Sequence, residues 1–263
     1  MMTSLRNVTL ERLDAGELAL GIGLRQARAV DIGRIMKTCG FDWLFIDTEH
    51  NSMSVDTAVQ ISVAAGDAGI TPIVRVPGFE HHHATRVLDG GAQGVVVPHV
   101  DTAEQAAQVV ADCKYAPLGH RSVTGALPQI DFQSMPIGEA AEAINAATMI
   151  VVMVETPLAV DNVEAIAAVP GINVVLIGTS DLSMEMGIPG QSGDERVTAA
   201  YERVIAACQK NGVHVGMGGV TDLDHMGRYI AMGARFVLAG NDIAMMMKAA
   251  REQSAKVRAL LPG

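Results

Sequence analysis

At 263 residues the chain has about the length of one α/β barrel and is short for two separate domains. Apolar residues make up 49% and aromatics only 3%, so Ala, Val, Ile, Leu and Met must do most of the core packing. The net charge of −10 argues against a nucleic-acid partner, because phosphate backbones recruit Lys and Arg.

Residues 1–6 hold no apolar leader core, and no apolar run approaches a membrane span, so a cytoplasmic protein without membrane association is expected. Cys39, Cys113 and Cys208 show no metal-type spacing and read as reduced, helix-borne small apolar residues.

Along the chain, strand-like apolar runs are predicted over 18–23, 42–47, 72–76, 94–98, 149–154, 173–178, 214–217 and 235–239. Segments with helical spacing are predicted over 27–39, 55–68, 82–88, 102–115, 158–168, 194–211, 223–232 and 242–261. Several of these helices run into glycine (Gly40, Gly69, Gly212, Gly233) just before the next strand. Eight strands alternating with eight helices favour a single (β/α)8 TIM barrel, residues 1–263, over an open doubly wound sheet. The connection 116–147 breaks the rhythm: Pro117, Gly119, Gly125, Pro128 and Pro136 make its first part a loop, and 137–147 reads as an extra helix. Loops of this length are commonly functional or lie at a subunit contact. The final segment, 241–263, could pack on its own barrel or on a neighbour.

Four of the strands end abruptly in charge. The second runs into Asp47-Thr48-Glu49-His50, the third into Arg75, the fifth into Glu155, and the sixth is followed by Asp181. Buried strands have no structural need for such groups, whose desolvation costs free energy. At the carboxyl ends of barrel strands they read as chemistry.

Glu155 and Asp181 would come from adjacent strand ends, a hard two-oxygen site of the kind that holds Mg²⁺, Mn²⁺ or Co²⁺ and leaves positions open for substrate. The simpler alternative is that each caps a helix. His50 is the candidate general base, with Asp47 and Glu49 placed to orient it. Arg75 could hold a carboxylate or stabilise an enolate oxygen, or merely form an internal ion pair. Asp89 reads as a helix-terminal acid. His81-His82-His83 cannot converge on one ion from successive helical positions and reads as a solvated face.

All five lysines (Lys37, Lys114, Lys210, Lys248, Lys256) fall within or at the ends of predicted helices, so no Schiff-base amine is expected in the mouth. Carbon–carbon bond chemistry beside a carbonyl would then need a metal electrophile. The glycine turns near Gly218 and Gly240 are positions where many barrels bind phosphate.

With these residues placed, the chain resembles the HpcH/HpaI family of metal-dependent class II pyruvate aldolases, which includes 4-hydroxy-2-oxoheptanedioate aldolase and hydroxy-ketoacid aldolases. The resemblance runs from about Gly21 to Ala244 and is carried by Gly40 to His50, Val74-Arg75, Leu88-Asp89-Gly90-Gly91, Tyr115 to Arg121, Glu155-Thr156 and Ile177 to Ser183. It implies a phosphoenolpyruvate/pyruvate-type barrel that cleaves 4-hydroxy-2-oxo acids to pyruvate or hydroxypyruvate plus an aldehyde, with no organic cofactor.

In that reading Glu155 and Asp181 would bind the metal, and Ser180 and Asp181 would contact the donor. Arg75 would steady the enolate, and His50 with Asp47 and Glu49 would handle protons. Asp89 would pair with a histidine of a neighbouring subunit, and Arg121 would help shape the acceptor side. The resemblance also implies a homo-oligomer, a hexamer built as a trimer of dimers with exchanged final helices.

Two departures stand out. Met153 replaces a glutamine of the relatives, and Gly178-Thr179-Ser180-Asp181-Leu182 replaces Gly-Pro-Ala-Asp-Leu; both fall on the donor side. Rival readings on the same barrel are an acyl-CoA lyase of the citrate-lyase type, a phosphosugar isomerase or epimerase, and a non-catalytic binding barrel.

Overall fold

The computed structural model describes residues 5–261; residues 1–4 of the opening segment, read above as lacking a leader core, lie outside it. The chain begins with α1 (Val8–Asp14), β1 (Ala19–Leu24), α2 (Ile32–Thr38), β2 (Trp43–Asp47), α3 (Val55–Asp67) and β3 (Thr71–Arg75). It continues through α4 (His81–Asp89), β4 (Gly94–Val97), α5 (Ala103–Cys113), a 3₁₀ turn (Pro128–Ile130), α6 (Ile137–Ala147) and β5 (Met149–Val154). The last third holds α7 (Pro157–Asp161), α8 (Val163–Ala167), β6 (Val174–Gly178), α9 (Thr179–Glu185), α10 (Glu195–Asn211), β7 (His214–Gly218), α11 (Leu223–Met232), β8 (Phe236–Asn241) and α12 (Asp242–Arg258). All eight strands are parallel and close in sequence order, β8 pairing with β1. This is the (β/α)8 barrel expected from the alternation.

Strand alternation assigns each side chain to a layer. Leu44, Ile46, Val74, Val152 and Ile177 point outward under the helices. Trp43, Phe45, Ile73, Met149, Val151, Met153, Val174, Leu176 and Phe236 fill the interior. At the base of the interior Trp43 stacks on Phe236 with centroids 3.8 Å apart and donates its indole N–H to the Ala19 carbonyl. A Cβ on Gly21 would stand 2.1 Å from the Trp43 ring, so only glycine leaves room for it. Counting by twos, Phe45 leads to Asp47, Ile73 to Arg75, Met153 to Glu155 and Leu176 to Gly178. The same inward face that packs the core therefore delivers the charged groups to the carboxyl-end mouth.

Three features depart from expectation. Helix α1 was not anticipated; its Leu13 joins the interior cluster, and its N-cap Asn7 ties it to the Gln93 and Ala147 carbonyls at 3.1 and 2.9 Å. The predicted helix 158–168 is two short helices broken at Asn162, whose amide donates to the Asp101 carbonyl at 2.8 Å. Helix α9 follows β6 directly, because Thr179 buries its hydroxyl against Tyr201 (2.7 Å) rather than continuing into a loop. Helix α12, whose packing the sequence leaves open between its own barrel and a neighbour, buries none of its residues; Met246 and Val257 on it are exposed, as are Leu260 and Leu261 just beyond it. Among the described residues, no helix is long and apolar enough to cross a membrane.

Candidate active site

Asp47 and Arg75 are register partners on β2 and β3. Arg75 Nε donates to Asp47 Oδ1 at 3.0 Å and Nη2 to Oδ2 at 2.7 Å, a two-pronged pair in which both side chains are buried. Burial alone would raise the Asp47 pKa, but the Arg75 fork and the backbone N–H groups of His50 and Glu49 hold it below the usual carboxylate range. Asp47 therefore acts on the guanidinium. It reaches His50 only through the backbone, not through the imidazole.

The carboxylate nearest the ring is Glu49, with His50 Nε2 3.6 Å from Glu49 Oε2. The same Oε2 lies 2.9 Å from Arg75 Nη1 but off the N–H direction, leaving it without an aligned hydrogen bond. The guanidinium lies over the Phe45 ring at 5.0 Å.

Glu155 follows β5 and is only 1% exposed. It does not cap a helix: the N-cap of α7 is Thr156, whose hydroxyl accepts from the Ala159 N–H. Its Oε2 accepts the backbone N–H of His99 at 2.9 Å, while a Cβ on Gly178 would come within 2.4 Å of Oε1. Glycine at the end of β6 thus makes the space this carboxylate occupies. Asp181 sits in the first turn of α9 without any capping bond.

Glu155, Asp181, Ser180, Arg75 and His50 line one cavity of about 120 Å³, floored by Phe45, Met153, Leu176 and Leu238. Burial, reinforced by the Asp181 charge, pushes the Glu155 pKa up to about 7 against the opposing pull of His99 and Arg75. A desolvated carboxylate beside a second carboxylate suits a cation. Among the described residues no group of three or more His, Cys, Asp or Glu side chains could hold a metal ion, so a cation here would rest on Glu155 and Asp181 and take its other ligands from substrate or water.

Two residues of the mouth carried the same sequence signal as the others and were missed. Arg25 directly follows β1, with Nε 3.5 Å from Asp47 Oδ2. Its loop is pinned by Asp242, which accepts the backbone N–H groups of Arg25, Gln26 and Ala27 at 3.0, 2.9 and 2.7 Å. His99 follows β4 and places its ring between Glu49 and Glu155.

Asp89 and Arg121 do not join the mouth within this chain. They bond each other at 2.6 Å at the end of α4 and beyond α5, where helices of a βα barrel return to the amino-terminal face. His81, His82 and His83 form the solvated first turn of α4. The five lysines lie on helices or at their ends; Lys114 is buried, donating to the Asn145 and Thr148 carbonyls.

A family model described as HpcH/HpaI aldolase/citrate lyase matches residues 26–249. The chain is 37% identical over 257 residues to a 4-hydroxy-4-methyl-2-oxoglutarate aldolase of Chaetomium globosum, covering 95% of this chain and 94% of that one. It is 36% identical to a hydroxypyruvate/pyruvate aldolase of Chromohalobacter salexigens, with 83% and 85% covered. The crystal structure of an HpcH/HpaI aldolase from Desulfitobacterium hafniense superposes with a TM-score of 0.89 at 32% identity, over 96% of this chain and 97% of that one.

Proposed function

The chain belongs to the HpcH/HpaI aldolase/citrate lyase family, a carbon–carbon lyase by its relatives, and on that premise we propose a divalent-metal-dependent class II aldolase. It cleaves 4-hydroxy-2-oxo acids reversibly to pyruvate, or a hydroxylated analogue, and an aldehyde. The observation that carries this reading is the buried Glu155 beside Asp181, sharing one cavity with Arg75 and His50.

Mg²⁺, Mn²⁺ or Co²⁺ held by Glu155 and Asp181 would supply Lewis-acid polarisation of the 2-oxo group. His50 accepts the 4-hydroxyl proton, and the C3–C4 bond breaks with its electron pair flowing toward the C2 oxygen. Arg75 has five N–H groups, and Asp47 takes two of them. Nη1 lies beside Glu49 without an aligned hydrogen bond, so its N–H groups and the second one on Nη2 remain to donate to that oxygen as its charge grows. Ser180, on the rim beside Asp181, binds the donor carboxylate.

Asp89 and Arg121 fit this reading as groups delivered by a second copy. Exposed Leu118, Val123, Phe132 and Ile137 nearby, with the uncovered face of α12, support a homo-oligomer with exchanged final helices. Three free cysteines suit a reducing cytoplasm. The test is release of pyruvate or hydroxypyruvate over a panel of 4-hydroxy-2-oxo acids with the cation supplied and then withheld; release of neither from any of them would end the aldolase reading.

The apolar floor sets an expectation for the donor. A 3-hydroxyl laid against Met153, Leu176 and Leu238 would lose hydrogen bonds to water worth about 1–3 kcal/mol. Pyruvate should therefore exceed hydroxypyruvate in kcat/KM by about tenfold or more. Met153→Gln should narrow the gap, as read from C3 proton exchange of each donor in D₂O; a wild-type preference for hydroxypyruvate would contradict it.

The raised Glu155 pKa has a pH consequence. The metal-free fold keeps a proton that the unfolded chain releases between the ordinary carboxylate range and about pH 7. Glu155 therefore favours folding at low pH, and this contribution is lost as pH rises through 7. A cation must displace that proton below pH 7 and none above it. Mn²⁺ should raise the melting temperature more at pH 8 than at pH 5.5; equal increments would contradict the assignment.

A further inference from the structure

His99 has a backbone φ of 55°, in the left-handed region that a non-glycine residue enters at a cost of about 1 kcal/mol or more. Packing does not hold it there, since its side chain is 57% exposed. What the conformation secures is a set of contacts to two carboxylates from different strands. The backbone N–H bonds Glu155 Oε2 at 2.9 Å, ring Nδ1 lies 3.5 Å from the same oxygen, and ring Nε2 lies 3.9 Å from Glu49 Oε1. The other oxygen of Glu155 rests over Gly178, where any side chain would collide with it.

We infer that His99 is a positioning residue for the cation: backbone and ring together keep Glu155 Oε2 turned toward β4, so that Oε1 is presented to the ion in one fixed orientation. The inference rests on the metal-dependent reading above. Groups that orient a ligating carboxylate typically change metal affinity by about 10–100-fold when removed. The ring also stands between Glu49 and Glu155, 3.9 and 3.5 Å from their oxygens, and so between the neighbours of His50 and the cation site.

The test uses the full chain, stripped of metal by chelation and titrated with Mn²⁺ in a calorimeter. His99→Gly keeps the N–H and relieves the backbone cost, so it removes the ring alone. It should weaken Mn²⁺ binding about 10–100-fold while leaving the metal-free melting temperature unchanged or higher. His99→Asn tolerates the left-handed backbone and keeps an amide donor, and should recover part of the loss. If wild type binds Mn²⁺ and His99→Gly binds it equally well, the role is the backbone's alone and the inference is overturned. If wild type binds no Mn²⁺, the metal reading itself fails.

Discussion

Replacing Arg75 with lysine is expected to lower kcat for retro-aldol cleavage by about 10²–10³, the loss typical of removing one donor to a developing oxyanion. Lysine keeps the positive charge but not the fork. A single ammonium cannot serve both Asp47 oxygens, 3.0 and 2.7 Å from Nε and Nη2, and still donate into the cavity. The charge should stay with Asp47, because an unpaired buried carboxylate costs about 3–5 kcal/mol. The chain should therefore fold, with a melting temperature lower by several degrees, while the reacting oxygen loses its partner. Arg75→Met would separate the two roles, combining the catalytic loss with the full destabilisation. An Arg75→Lys enzyme with kcat within a few-fold of wild type would show that the guanidinium does not touch the reacting oxygen and serves only as the internal partner of Asp47.

Glu155→Gln should have an even larger effect on turnover. The substitution keeps volume and an oxygen able to accept the His99 N–H, but removes one of two anionic donors to a dication. Several kcal/mol of electrophilic stabilisation are at stake, so kcat/KM should fall by about 10³-fold or more, together with calorimetric Mn²⁺ binding. Stability should move the other way. Burial disfavours the ionised Glu155 of the metal-free protein, so at pH 8 the neutral amide should unfold at a temperature no lower than wild type. A destabilised, inactive variant would mean that Glu155 holds the fold together; an inactive variant of unchanged or greater stability fits a ligand.

Much of this site is legible in the chain because a barrel converts strand ends into a mouth, and the inward face repeats every second residue. Phe45 to Asp47, Ile73 to Arg75 and Met153 to Glu155 follow from that period alone. Register is harder to read: nothing local in Asp47 says that it faces Arg75 across β2 and β3, so a carboxylate expected beside the His50 ring proves to grip a guanidinium. His99 and Arg25 bear the same mark as the residues that were identified, an ionisable group directly after an apolar strand. In β4 the mark is blurred by Pro98, and in β1 by the two glycines that make room for Trp43 and the β8 backbone. Asp89 and Arg121 meet because the turn after α5 folds back on Ala111 and Lys114, a path no periodicity encodes. Helix α12 is legible as a helix from its spacing, but the spacing does not say whether it packs on its own barrel or on a neighbour, and none of its residues is buried within the chain.

Anomalous diffraction from crystals soaked in Mn²⁺ bears most directly on the cation pair. One peak within about 2.0–2.3 Å of a carboxylate oxygen of both Glu155 and Asp181, and lost in Glu155→Gln, is the outcome expected here. A peak bound elsewhere, or none at saturating Mn²⁺, would remove the electrophile on which the proposed cleavage depends.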